Sequence, residues 1–251
     1  MISLKDKVTL ITGASRGIGR AVALLFARAG SHVVINYASK AEDADEVKRL
    51  CLESGVRALA IKADVAVRKQ VDDMVARTLT EFGKIDVLVN NAGIWVHNPI
   101  DQLSDARLKE TVATNLFGHF YPIAAVVRHM KERRSGTIIN LSSTAGQRGE
   151  AFYSPYAATK GAIISLTKSL ASELAPWNIR VNCVAPGWVD TDMSHEALIG
   201  PDRESILDKI PLGRAATADE LAGPVLFLAS DLATFITGEI LNVNGGAVLC
   251  G

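Results

Sequence analysis

The chain has no net charge to offer a partner, because 27 basic residues are matched by 27 acidic ones over 251 positions. Its overall field draws in neither nucleic acid nor an anionic membrane surface, so any charged partner must find a local patch. Cysteine is scarce. Cys51, Cys183 and Cys250 are an odd number with no C-x-x-C pair, which argues against a disulfide framework and a thiolate zinc site and fits a reducing cytoplasm. The histidines, His32, His97, His119, His129 and His195, show no ligand spacing, so no metal is expected. No apolar run reaches 18 residues, and the start, MISLKDKVTLITG, has no apolar core behind a basic flank. Neither a membrane helix nor a signal peptide is expected. A linker rich in Gly, Ser or Pro is missing too, so residues 1–251 read as one domain.

What is present is a rhythm. Short β-branched runs begin at 8 (VTLIT), 32 (HVVINY), 58 (ALAIKA), 85 (IDVLVN), 137 (TIINLS), 180 (RVNCVA) and 240 (ILNVN). Between them lie stretches of helical periodicity near 17–29, 41–54, 67–82, 104–131, 155–175 and 218–229. Repeated βαβ units of this kind demand a parallel sheet covered on both faces, and the strands read as continuous apolar runs, as doubly covered strands should. The expected fold is α/β, a Rossmann-type doubly wound parallel sheet of about seven strands. One long irregular stretch, 187–216, is expected to be a short helix carried on loops and to act as a substrate lid.

Directly after the first strand comes TGASRGIG, in which Gly13, Ser15, Arg16, Gly17, Ile18 and Gly19 form a strand-to-helix turn. Such a turn lets the backbone approach a pyrophosphate, whose charge rests on the unpaired N–H groups of the helix start. The end of the second strand reads Asn36, Tyr37, Ala38, Ser39 and Lys40, with no carboxylate before Glu42. An acidic residue there would bond the ribose hydroxyls of NAD. Arg16, Ser39 and Lys40 suit a 2′-phosphate instead, so NADP(H) is the expected cofactor.

YSPYAATKGA, at 153–162, carries the chemistry. Ser154 and Pro155 read as an N-cap and first-turn residue of a helix. That places Tyr156 in the first turn with Lys160 above it on the same face, and leaves Tyr153 off the helix. An ammonium about 4 Å from a phenolate contributes ~4 kcal/mol at an effective dielectric of ~20, enough to pull a phenol pKa down by about 3. The expected result is a general acid poised near neutrality, as reduction of a carbonyl needs.

With TGASRGIG, NNAG at 90–93, NLSS at 140–143, YAATK at 156–160 and APG at 185–187, the chain resembles the short-chain dehydrogenase/reductase family over nearly its full length. The resemblance implies that Tyr156 is the acid/base, that Lys160 tunes it and holds the nicotinamide ribose, and that Ser143 bonds the substrate oxygen. Asn115 matches a fourth member that supports a water relay to the lysine. The family also implies cofactor contacts from Asp64, Val65, Asn91, Ala92, Gly93, Pro186, Gly187, Val189 and Thr191, and a homotetramer joined through the last helix and strand. Within the family the likeness is nearest to 3-oxoacyl-[acyl-carrier-protein] reductases, which implies reduction of a β-ketoacyl thioester. For acyl carrier protein, RHMKERR at 128–134 is a local basic patch and Arg134 matches a docking arginine, while the second docking position holds Trp177. The alternatives are reduction of another small ketone, sugar or alcohol, with Trp95, His97, Trp188 and Met193 shaping the pocket, and a non-catalytic nucleotide sensor.

Overall fold

The computed structural model describes residues 2–249, so Cys250 lies outside the described residues. Seven parallel strands form the main sheet: β1 (Val8–Ile11), β2 (His32–Tyr37), β3 (Ala58–Lys62), β4 (Val87–Asn90), β5 (Gly136–Leu141), β6 (Ile179–Pro186) and, last in sequence, β9 (Ile240–Val243). Their spatial order is β3-β2-β1-β4-β5-β6-β9. The crossovers wind outward in opposite directions from β1 and β4, and a crevice opens beyond the carboxyl ends of those two strands.

Alternate residues along each strand feed opposite faces, as a pleated chain requires. Ile11, Ile35, Val89, Ile139 and Val184 pack with Val22 and Phe26 of α1 (Gly17–Arg28), Val47 of α2 (Ala41–Glu53), and Leu221 and Val225 of α10 (Ala218–Ala229). Leu10, Val34, Leu88, Ile138 and Val181 pack on the other face. There they meet Met74 of α3 (Arg68–Phe82), Val126 and Met130 of α5 (Gly118–Arg133), and Leu174 of α7 (Ser154–Leu174). All seven expected strands are present.

Three elements differ from expectation. The helix read over 104–131 is present but not uniformly α: α4 (Asp105–Val112), a π-helical turn (Ala113–Phe117) and α5 follow one another without a break. The wider turn carries Asn115, which is fully buried, and single π-turns of this kind tend to mark functional positions. Helix α7 begins one residue earlier than expected: Tyr153, not Ser154, is the N-cap residue, and it makes no side-chain capping bond. The stretch after β6 carries two short helices, α8 (His195–Ile199) and α9 (Arg203–Leu207), rather than one. Its two ends are tied by a parallel bridge of β7 (Val189–Asp190) with β8 (Ala216–Thr217). Between β5 and α7 lies the one-turn helix α6 (Thr144–Arg148). Among the described residues no helix is long and apolar enough to cross a membrane.

Asp86 holds the central strands in register. Its carboxylate accepts the Val8 N–H at 2.8 Å and meets Lys84 at 3.0 Å and Arg133 at 3.1 Å while only 7% exposed. Burial would raise its pKa, but the Lys84 and Val8 hydrogen bonds and the charges of Lys84 and Arg133 outweigh that and hold it below the usual carboxylate range. Its contribution is therefore complete above the unfolded value near ~3.9 and is lost as pH falls through the lower folded value. Asp86→Ala is expected to cost about 2–4 kcal/mol at pH 7 in urea unfolding. The gap from the parent protein should narrow in acid, and an equal gap at both pH values would refute this assignment.

Candidate active site

A cleft of about 560 Å³ lies over the carboxyl ends of the strands. At one end is the glycine turn. Gly13 has φ +62° and Gly17 φ +54°, conformations that L side chains rarely adopt. Ser15, Arg16, Gly17 and Ile18 line the cleft, and α1 starts without a side-chain cap, so its first N–H groups remain available to an anion. Gly19 is not in the lining. It is a space beneath the turn, where a Cβ would sit 2.4 Å from the Gly13 carbonyl oxygen and 2.5 Å from Asn91 Nδ2.

Two asparagines brace this turn. Asn36 is buried, accepts the Gly13 N–H at 3.2 Å and donates to the Ala63 carbonyl at 2.9 Å. Asn91 donates to the Thr12 and Gly13 carbonyls at 2.9 and 3.0 Å, and Thr12 Oγ1 accepts the Asn91 and Ala92 N–H groups. Thr12 was not anticipated, since a threonine ending a strand carries no distinctive pattern. Tyr37, Ala38, Ser39 and Lys40 line the same end of the cleft as Asn36, with Asp64 and Val65 beside them. Asp64 accepts the Ala66 N–H at 2.9 Å. Arg16 reaches across the mouth to Asp192 at 3.3 Å, with both side chains more than half exposed. Asn91, Ala92, Gly93, Pro186, Gly187, Val189 and Thr191 complete the wall expected from the sequence.

The other end holds Ser143, Tyr156 and Lys160, all facing the cleft. Ser143 caps α6, its hydroxyl accepting the Ala145 N–H at 3.1 Å. It also faces Tyr156 across this end of the cleft, near enough for its hydroxyl to oppose the rise in the phenol pKa. The neighbouring Ser142 is spent elsewhere, donating to the Lys160 carbonyl at 2.7 Å. The expectation of a phenol pulled toward neutrality fails. Burial pushes Tyr156 up to about 12, the Ser143 hydroxyl opposing and the Glu150 charge adding to the rise. Lys160 does not touch the hydroxyl. Its Nζ donates to the Leu141 carbonyl at 2.8 Å and sits 5.7 Å from the centre of the Tyr156 ring. Burial presses Lys160 down to about 8.

Asn115, expected to join the lysine through water, lies behind the cleft instead of lining it. It accepts the Ile94 N–H at 2.8 Å and donates to the Ile94 carbonyl at 2.9 Å, clamping the loop that follows Gly93. A side chain on Gly93 would meet Asn115 Oδ1 at 3.3 Å and Lys160 Nζ at 3.5 Å, so this glycine keeps the two polar groups open to each other.

Trp95, Trp188 and Met193 line the cleft as expected. His97 does not, because it stacks behind the wall on Phe152 and edge-on to Tyr153. Tyr153 itself lies flat on Trp95, with centroids 4.3 Å apart, and Trp188 meets Trp95 edge-on at 5.7 Å. Glu150 also faces the cleft. A single glutamate in a loop gives no signal in sequence, and it went unread.

The residues fit a dinucleotide: an uncapped helix start, a glycine turn held open by asparagines, and a hydroxyl pair at the far end. A family model described as Enoyl-(Acyl carrier protein) reductase matches residues 13–248. The 3-oxoacyl-[acyl-carrier-protein] reductase FabG of Staphylococcus epidermidis is 43% identical over 241 residues, covering 96% of this chain and 98% of its own. A 3-oxoacyl-[acyl-carrier-protein] reductase of Synechocystis sp. is 42% identical over 250 residues, covering 99% and 100%. Among solved structures, levodione reductase superposes with a TM-score of 0.92 at 34% identity, covering 96% of this chain and 97% of its own. A doubly substituted short-chain dehydrogenase/reductase of Serratia marcescens gives 0.92 at 35%, covering 97% and 98%. With the sheet order, the glycine turn and these likenesses in agreement, the chain is an oxidoreductase and belongs to the short-chain dehydrogenase/reductase family.

Proposed function

We propose that this protein reduces the keto group of a β-ketoacyl thioester with NADPH, using Tyr156 as the proton donor. The observation that carries the reading is the Ser143–Tyr156 hydroxyl pair at the end of a cleft that runs unbroken from the glycine turn. A bound nicotinamide supplies hydride to the carbonyl carbon. The oxygen left behind is a stronger base than a phenolate, so it takes the Tyr156 proton even from a phenol held near 12. Ser143 accepts the Ala145 N–H, which orients its hydroxyl, and its one proton would turn from Tyr156 to the substrate oxygen when substrate is bound. Lys160 spends one of three donors on Leu141 and keeps two for the cleft.

Arg16, Ser39 and Lys40 line one end together, and no carboxylate stands among residues 36–40, which favours a 2′-phosphate there. Arg16→Ala should weaken NADPH binding by about 10-fold, the worth of one charge-assisted hydrogen bond, and leave NADH nearly unchanged. Equal losses in the two titrations would refute the phosphate contact.

For a carrier protein, the patch at the end of α5 is smaller than its sequence suggests. Arg133 turns inward to Asp86 and Arg128 pairs with Glu132. Lys131 and Arg134 remain, placed 5.5 and 5.6 Å from the ring centre of the partly exposed Trp177, a pairing that suits an acidic partner with an apolar spot. The stretch 187–216, hinged at its β7–β8 tie, is the substrate lid in this reading. Exposed Leu232 and Phe235, just before β9 at the sheet edge, suit an interface in a homotetramer. The aromatic wall of Trp95 and Trp188 favours a second reading, a small cyclic or aromatic ketone. Oxidation of NADPH with acetoacetyl thioester, beside free ketones and sugars, tests the choice. Turnover of free ketones alone would overturn the thioester reading.

A further inference from the structure

We propose that Glu150, with Trp95 and Trp188, makes the substrate end of the cleft selective for carbonyl compounds bearing a positive charge, and against those bearing a carboxylate. The inference rests on the function above and adds the chemical class of group on the far side of the reacting carbonyl.

Three observations place the wall. Trp95, Trp188 and Glu150 line the same cleft as Ser143 and Tyr156. The indoles are held by ring contacts: Tyr153 stacks on Trp95 from outside the cleft lining, and Trp188 meets Trp95 edge-on. Indole faces next to a carboxylate are the chemistry that receives an ammonium group, because the ring quadrupole and the anion attract the same charge. Glu150 also lies close enough to Tyr156 and Tyr153 for its charge to be felt at both phenols, so it stands by the reacting end and not at the nucleotide.

The carboxylate is not already neutralised. Among the described residues Glu150 makes no ion pair within 4 Å, although Lys84, Lys109 and Arg214 elsewhere all do. Arg148 is the nearby cation: it lines the same cleft, is exposed, and reaches Glu150 through its charge without an ion pair within 4 Å. Burial raises the Glu150 pKa, while the nearby Trp95 indole N–H and the Arg148 charge pull it back. Lys160 shares the cleft too; one of its three donors goes to the Leu141 carbonyl, and its charge lies at the Ser143–Tyr156 end, apart from the Trp95 and Trp188 wall that the proposal concerns.

The test uses N-acetylcysteamine thioesters of three β-keto acids of equal length, ending in methyl, trimethylammonium or carboxylate. In the unmodified enzyme kcat/KM should fall in the order cation, neutral, anion, with about tenfold per step. In Glu150→Gln the ratios should shrink toward one. Ratios near one in the unmodified enzyme, or unchanged by Glu150→Gln, would overturn the proposal while leaving thioester reduction intact. A second arm needs no turnover. In a Trp177→Phe background, where the remaining indoles are Trp95 and Trp188, benzyltrimethylammonium should quench fluorescence saturably and benzyl alcohol should not. Glu150→Gln should weaken the cation about tenfold. If none of the three thioesters reacts, the proposed function falls, and the quenching alone decides the cation site: equal response to both probes rejects it.

Discussion

Tyr156→Phe is expected to lower kcat by ~10² to 10⁴ while cofactor affinity stays within about threefold of the parent, the range for loss of one acid/base group. The substitution removes a single oxygen. The ring keeps its place under Lys160, Pro155 still starts the helix, and the wall built by Tyr153 and Trp95 is untouched. Ser143 loses one partner but keeps the Ala145 N–H. A fall of this size with an unchanged fluorescence titration of NADPH assigns the proton to Tyr156. Near-normal turnover would remove it from the mechanism. The pH profile adds a second signature. With the phenol pushed up to about 12, the group that titrates in the working range is Lys160, at about 8. On the proposed function its charge, present below that value, would stabilise the phenolate formed on proton donation and would disappear as pH rises. The kcat/KM for reduction should therefore decline above about 8, and a profile flat to pH 10 would contradict the role given to the ammonium.

The second large effect is structural in origin. Gly19→Ala puts a methyl 2.4 Å from the Gly13 carbonyl oxygen and 2.9 Å from Ala14 Cα, both backbone atoms that cannot swing aside. The turn must open and the Asn91 hydrogen bonds to Thr12 and Gly13 stretch with it. Overpacking of this kind costs ~1–3 kcal/mol, and each hydrogen bond lost adds about 1. Because the cost falls on the loop that would cradle the pyrophosphate, cofactor affinity should drop by ~10² or more, beyond the loss of melting temperature. Gly223→Ala is the control. It sits inside α10 with nothing within 4 Å of its added carbon apart from its chain neighbours and the helix's own backbone, so it should leave cofactor binding alone, with the gain in helix propensity offset by crowding against Pro224. Equal effects from both glycines would show that helix propensity, not the clash, governs Gly19.

Much of the cleft was legible because its parts are local. The glycine turn announces itself by φ values that only a few residues permit, and Tyr156 and Lys160 share a face by helical spacing alone. Ser143 could be separated from Ser142 only through the family likeness; the structure adds the reason, since Ser142 is committed to the Lys160 carbonyl. What was misread depends on distance in space. Asn115 does lie within a long helix, but at a π-turn from which its side chain bonds Ile94 in the loop after β4, and neither the π-turn nor that partner has a local signal. Helical spacing alone suggests a phenol pulled down by Lys160, whereas burial raises Tyr156 and the Lys160 ammonium bonds the Leu141 carbonyl.

Sequence alone determined the parallel sheet, its seven strands, the phosphate-ready turn and the Tyr-Lys register, because each follows from backbone sterics and periodicity within about 20 residues. Only the tertiary structure decided which side chains meet: Asn36 and Asn91 on the glycine turn, Tyr153 behind Trp95, Glu150 at the mouth, and the final proton affinities of Tyr156 and Lys160. Those are set by desolvation and by partners dozens of positions away along the chain, quantities that no local pattern carries.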